Sequence, residues 1–471
     1  MKTYKSFREQ ILNNKTTCEN EVCEILNTIE VKKELNAFIE NEKKEIILEQ
    51  AIESDKRFKS CNPRKLEGMV VAVKDNISVK DMHLTAASRM LHNYKALVDA
   101  TIIKRIKDEG GIIIGKTNMD EFAMGSSNET SFFGLVENPI NKDYVPGGSS
   151  GGSAVAVAAE LAHTALGTDT GGSVRQPAAL CGTVGFKPTY GRISRSGVIA
   201  FASSLDQVGT FSNNIEDTSL IFDVMSGRDD ADQTTADISK TDTYSNLENS
   251  NFDKVNIGVL DDDTLKLCSE DVLKVYNDLL QKLKSMGARI NKIKLVDSEY
   301  WVPTYIVLST VEASANLARF DGIRFGHHTD NYVENEDYIA INRSEGFGAE
   351  VKRRLLAGTY FLTSNKENQY YTKAQQIRQI VKKCYNDAFE KVDVLFLPTT
   401  STAAFKFNEK QSDNVKMYLS DFFTTSANLA GIPAISIPLG KDRNGLPIGM
   451  QLQTGMFQEQ KLFNFAKTLM K

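Results

Sequence analysis

The chain has 471 residues, 41% hydrophobic and 25% charged, which is the usage of a globular protein with a large buried core and not of a disordered one. Its 56 Lys and Arg stand against 61 Asp and Glu for a net charge of −5, so no basic footprint marks it as a nucleic-acid-binding protein in its own right. The six cysteines (Cys18, Cys23, Cys61, Cys181, Cys268, Cys384) include no C-x-x-C pair, His and Cys form no metal-ligand spacing, and no stretch reaches the roughly 18 apolar residues of a membrane span, so the expectation is a cytoplasmic protein with reduced thiols.

The opening residues, MKTYKSFREQILNNK, lack the apolar core of a secretory signal. Through residues 1–60 apolar side chains recur at helical spacing, at Val22, Ile25, Leu26 and Ile29 and again at Ile46, Ile47, Leu48, Ala51 and Ile52, which predicts a helical N-terminal segment. Apolar, β-branched runs follow at Met69–Val73, Ile112–Ile114, Val255–Leu260, Val392–Leu397, Ala434–Pro438 and Ile448–Leu452, with helical patterns between them. Strands alternating with helices predict an α/β core with at least partly parallel pairing, read as one continuous domain over 61–471. The polar stretch 227–253 reads as an exposed connection.

Several segments carry possible chemistry. Lys74 ends the first apolar run. A strand-end lysine usually extends its amine to water, but a buried one loses proton affinity and becomes a usable base. Gly110–Thr117 satisfies the phosphate-loop expression, yet its middle is three isoleucines, so it reads as a strand and not as the loop that follows one. At Pro146–Ala162 a glycine and serine loop runs into an alanine-rich helix suited to close packing. Gly147–Gly151 within it also matches the nucleophile elbow of α/β-hydrolases, which would make Ser149 the nucleophile beside a later Asp and His. At Thr164–Gly182 a strand-like run breaks into Thr170-Gly171-Gly172-Ser173, where successive backbone N–H groups could converge as an oxyanion hole, or where a serine simply caps a helix. The five histidines (His83, His92, His163, His327, His328) sit in no recognisable catalytic context.

In combination and order, VKD at Lys74, GGSSGGS around Ser149 and DTGGSVRQPA around Ser173 resemble the amidase-signature family. Four further stretches are similar to the glutamine-hydrolysing subunits of tRNA-dependent amidotransferases: GKTNMDEFAMGSSNETSFFG from Gly115, FKPTYGRISRSG from Phe186, EASANLARFDGIRFG from Glu312 and NLAGIPAISIP from Asn428. The resemblance implies an α/β/α fold on a mixed sheet flanked by helices, and a Ser-Ser-Lys triad. In it Ser173 forms the acyl intermediate, Ser149 bridges through a cis peptide with Gly148, and Lys74 is the base. It places the oxyanion on the backbone of Thr170, Gly171, Gly172 and Ser173. It assigns the glutamine α-carboxylate to Arg354, with Arg353 as the alternative, the α-ammonium to Asp421, and a lining role to Tyr305. Ile306 stands where relatives often carry a second aromatic, and Ser426 where a proline is frequent.

The same resemblance implies a glutaminase that supplies ammonia for converting Glu-tRNA(Gln) to Gln-tRNA(Gln) in a heterotrimer. A B subunit would hold tRNA and use ATP and Mg²⁺, a small C subunit would clamp the pair, and this chain would need neither metal nor cofactor. A stand-alone amidase acting on other carboxamides and a catalytically inert assembly scaffold are the competing readings.

Overall fold

Valine and isoleucine runs with no polar alternation require a sheet covered on both faces, and that is where they lie. In the computed structural model, which describes residues 2–240, 242–295, 298–330, 335–363, 369–410 and 413–471, they belong to one mixed sheet of 11 strands. The strands are β1 (Phe38–Asn41), β2 (Val70–Lys74), β3 (Ile112–Thr117), β4 (Thr164–Asp169), β5 (Val184–Lys187), β6 (Gln207–Ser212), β7 (Asn256–Leu260), β8 (Arg289–Ile293), β9 (Val394–Pro398), β10 (Ala434–Lys441) and β11 (Pro447–Gln453). Their order across the sheet is β1-β3-β2-β4-β6-β5-β10-β11-β9-β7-β8. β2 runs parallel to both β3 and β4, and β7 runs parallel to both β8 and β9. The remaining pairings, from β4 through β6, β5, β10 and β11 to β9 and between β1 and β3, are antiparallel. Every residue of β2, β3, β4, β6, β9 and β11 is buried, whereas the edge strands β1 and β8 are short and partly exposed.

All six runs expected to be strands are strands. The sequence reading missed β1, β5, β6 and β8. β5 (VGFK) and β6 (QVGTFS) are short and contain glycine, which lacks both strand propensity and a side chain to mark a face. β1 lies inside the segment read as helical and extends the sheet beyond β3, pairing Phe38 with Thr117.

The helices Tyr4–Leu12, Cys18–Val31 and Lys44–Lys59 bury Phe7, Ile11, Val22, Ile25, Ile29, Ile47 and Phe58. The first helix is tied to the core by the Asp217 carboxylate, which accepts from the backbone N–H of Tyr4 at 2.7 Å and of Lys5 at 3.0 Å. His163 closes the same seam. Its Nδ1 accepts from the Val70 N–H at 3.0 Å, which puts the proton on Nε2, 3.2 Å from Glu21, and its ring packs against Tyr4 and Phe7. Among the described residues the 227–253 stretch has no helix or strand, and it is pinned where the Asp223 carboxylate accepts from the backbone of Thr243 and Tyr244. Among the described residues no helix is long and apolar enough to cross a membrane.

Candidate active site

The parallel strands β2 and β4 end side by side, and in such sheets the carboxyl ends of the strands are where ligands bind. Lys74 is the last residue of β2 and is fully buried. Its Nζ lies 2.8 Å from Ser149 Oγ, 2.8 Å from Ser150 Oγ and 3.0 Å from Thr168 Oγ1. Among the described residues it has no ion-pair partner. Burial therefore brings the amine down to about 7, although the more distant carboxylates of Asp120, Asp169 and Asp206 pull the other way. Asn76 Nδ2 donates to the same Thr168 Oγ1 at 3.0 Å. The Gly148–Ser149 peptide is cis, and it is held from both sides: the Asp120 N–H donates to Ser149 O at 3.1 Å, and the Gly148 N–H donates to Gln176 Oε1 at 3.0 Å. The helix Gly151–Ala158 begins two residues later.

β4 ends at Asp169, and the chain then turns sharply through Thr170-Gly171-Gly172-Ser173 into the helix Arg175–Cys181. The Asp169 carboxylate organises this turn. It takes Arg175 Nε at 3.0 Å and Nη2 at 2.9 Å, and the backbone N–H groups of Val174 and Arg175 at 3.3 and 3.4 Å. Asn428 Nδ2 adds a bond at 2.9 Å. Burial opposes ionisation there, but the Arg175 guanidinium holds the Asp169 carboxyl down at about 2. Thr424 Oγ1 donates to Gly171 O at 2.7 Å, fixing that peptide. Gly172 has φ +144, and a Cβ on it would meet Thr424 Oγ1 at 2.1 Å, so only glycine fits. Among the described residues no hydrogen bond uses the N–H of Thr170, Gly171, Gly172 or Ser173 as donor. Four consecutive uncommitted amides at a buried turn can stabilise a developing negative charge. Ser173 is joined to the lysine cluster through the backbone, the Ser150 N–H donating to its carbonyl at 3.3 Å.

A cavity of about 410 Å³ adjoins, lined by Glu121, Ser126, Glu350, Arg354, Lys410 and Tyr418 among others. Tyr305, on the helix Trp301–Asn316, lays its ring over Gly171, where a Cβ would meet ring Cζ at 2.5 Å. Asp421 is buried and accepts from Ser126 Oγ through Oδ2, while Oδ1 has no hydrogen-bond partner among the described residues. Burial pushes this carboxyl up to about 7. Arg354 is buried on the helix Ala349–Thr363, with Nε on Glu350 Oε1 at 2.7 Å and its guanidinium carbon 5.7 Å from the Phe201 ring centroid and 5.4 Å from that of Tyr418. Arg353 is different. Its Nε and Nη2 are spent on the two oxygens of Glu350 and on Tyr418 Oη, and its side chain is 38% exposed. A roomier apolar cavity of about 840 Å³ shares Tyr418, and neither cavity is lined by Lys74, Ser149, Ser150 or Ser173. Ile306 faces that cavity, and Ser426 is occupied with Tyr385 Oη at 2.7 Å, so neither departure from the pattern touches the serine turn.

A family model described as Amidase matches residues 22–463. This chain belongs to the amidase family. It is 45% identical to the A subunit of the glutamyl-tRNA(Gln) amidotransferase of Prosthecochloris aestuarii, across 99% of this chain and 98% of that one. It is 44% identical to the protein of the same name from Chlorobium limicola, across 100% and 99%. Among solved structures, the glutamyl-tRNA(Gln) amidotransferase A subunit of Thermotoga maritima superposes with a TM-score of 0.80 at 37% identity, covering 98% of this chain and 93% of that one. The peptide amidase of Stenotrophomonas maltophilia superposes at 0.83 with 27% identity, covering 98% and 95%. In this amidase the elbow reading of Ser149 lacks its histidine: among the described residues none of the five histidines hydrogen-bonds to Ser149 or Ser173. All but the first two residues of the phosphate-loop match at Gly110–Thr117 are strand β3, and Lys116 Nζ is spent on the carbonyls of Ile77 and His83 beside Asp75.

Sequence reasoning missed Ser150 and Thr168, which complete the setting of Lys74, and Asp169 with Arg175, Thr424 and Asn428, which shape the Ser173 turn. Ser150, Asp169 and Arg175 lie inside the motifs themselves. Thr424 and Asn428 come from more than two hundred residues away and carry no local signal.

Proposed function

We propose that this chain hydrolyses the side-chain carboxamide of glutamine through an ester on Ser173 and passes the ammonia to partner subunits that amidate Glu-tRNA(Gln). The observation that carries the reading is Lys74 Nζ among three hydroxyl oxygens, with no carboxylate partner among the described residues. A neutral amine has two N–H donors and one lone pair. With the donors on Ser150 and Thr168, the lone pair points at the Ser149 hydroxyl. Ser149 gives its proton to Lys74 and takes that of Ser173, whose Oγ attacks the amide carbon. The oxyanion faces the free amides of Thr170, Gly171, Gly172 and Ser173. The proton returns through Ser149 to the leaving nitrogen as the C–N bond breaks, and water then cleaves the ester by the same relay to give glutamate.

Substrate selection follows the charges around the cavity. Asp421, with one oxygen unpartnered, suits the α-ammonium group. Arg354 spends only Nε on Glu350 among the described residues, leaving its terminal nitrogens for the α-carboxylate, whereas the Arg353 fork is already occupied. In this reading ATP and Mg²⁺ belong to a B subunit that also carries most of the tRNA contact, a C subunit completes a heterotrimer, and the reaction is cytoplasmic. The test is reconstitution with candidate B and C subunits while glutamine-dependent conversion of Glu-tRNA(Gln) is followed. Conversion that depends on Ser173 supports the proposal. Robust hydrolysis of diverse amides without partners, and none of this conversion with them, favours a stand-alone amidase. No hydrolysis under either condition leaves the scaffold.

A further inference from the structure

The stretch from Gly115 to Gly134 contains a device that the serine relay does not use. Phe122 and Ala123 stand consecutively at φ +49 and +61, a left-handed pair that ordinary side chains avoid. Glu121 and Phe122, at this kink, meet the junction Gly346-Phe347-Gly348. Glu121 Oε2 and Oε1 accept from the Gly348 N–H at 2.9 and 3.1 Å. Ser88 Oγ lies 2.5 Å from Glu121 Oε1 and 3.2 Å from Gly346 O. The Phe122 ring meets Phe347 edge-on at 5.4 Å. The fit is close, since a Cβ on Gly348 would lie 2.3 Å from Glu121 Oε2.

Gly348 is the amino end of the Ala349–Thr363 helix, its carbonyl accepting from the Lys352 N–H at 3.1 Å. The Glu121 side chain satisfies an otherwise orphan donor there, and burial pushes its carboxyl up to about 7, so the anchoring rests on these hydrogen bonds. That helix carries Glu350 and Arg354, and Glu121 itself lines the same cavity. We infer that Glu121 is a positioning residue for substrate recognition, anchoring the amino end of this helix and thereby fixing where Arg354 presents its guanidinium. The inference rests on the glutamine reading above.

The test uses the full chain, with kinetics on glutamine and on a small uncharged primary carboxamide. Glu121→Gln is expected to raise KM for glutamine about tenfold, with kcat within about twofold and the uncharged amide unaffected. In an Arg354→Ala background it should add no further rise, because both changes act on one contact. Ser88→Ala, which removes only one partner of the carboxylate, should raise KM about threefold and keeps the idea testable if Glu121→Gln does not fold. Equal losses on both substrates, a rise that multiplies with Arg354→Ala, or an unmoved KM in Ser88→Ala and Glu121→Gln overturns the inference alone. If Arg354→Ala itself leaves KM for glutamine unchanged, the substrate reading falls and this inference with it.

Discussion

Burial brings the Lys74 amine down to about 7 beside a hydroxyl and pushes the Asp421 carboxyl up to about 7, and each group is useful only once deprotonated. Lys74 is a base only when neutral, above its lowered value, and Asp421 attracts an ammonium group only when charged, above its raised value. The rate at low glutamine should therefore rise with pH through about 7, with an acid-side slope that exceeds one and approaches two, reported as two apparent ionisations. Asp421→Asn should lower the rate on glutamine and cut that slope to one, while a small uncharged amide shows slope one in the parent enzyme already. A parent slope of one on glutamine, unaltered in the variant, would remove Asp421 from recognition. Lys74→Arg should be as inactive as Lys74→Ala, because arginine keeps its proton. Single replacement of each histidine should leave the rate within about tenfold, the scale of indirect packing effects. One dead histidine variant with normal folding would point to a different base.

The turn after β4 and the helix after it form the element on which transition-state stabilisation depends. Gly172→Ala should disturb the direction of the Gly171–Ser173 amides, since φ +144 and the contact with Thr424 leave no room for a methyl group. The expected loss in kcat is about a hundredfold, that of removing one oxyanion donor, with the melting temperature falling far less. Equal, proportionate losses of stability and rate would mean the turn serves the fold. How far such elements can be read in advance follows from where their partners lie. β2, β3, β9 and β11 are visible in the sequence because both of their faces are buried and the residues say so. β5 and β6 are not, because their place is set by pairing with each other and with β4 and β10 and not by their own composition. The positions of Lys74, Ser149 and Ser173 are legible because each sits in a run of special residues. The Arg175–Asp169–Asn428 network is not, since Asn428 reaches it only after the chain has crossed the sheet several times.

At the scale of the whole molecule, the strands bearing Lys74 and the Ser173 turn lie towards the end of the sheet that the N-terminal segment closes. β1 covers the β3 edge, and the first helices bury apolar side chains such as Phe7, Val22, Ile25 and Ile47, each worth about 1.5–3 kcal/mol when fully buried. We therefore propose that residues 1–60, which the sequence pattern sets apart as a helical segment, are integral to the catalytic unit. A chain beginning at residue 61 should aggregate or melt well below the full chain, and a fragment that melts like the full chain would argue for an independent domain. The most direct measurement of the proposed chemistry is covalent: trap the enzyme with a glutamine analogue carrying an electrophile at the amide position, digest it, and locate the adduct by mass spectrometry. The adduct is predicted on Ser173 and should be lost in Lys74→Ala. An adduct on Ser149 with Ser173 unmodified, or full labelling in folded Lys74→Ala, would contradict a relay that runs from Ser173 through Ser149 to Lys74.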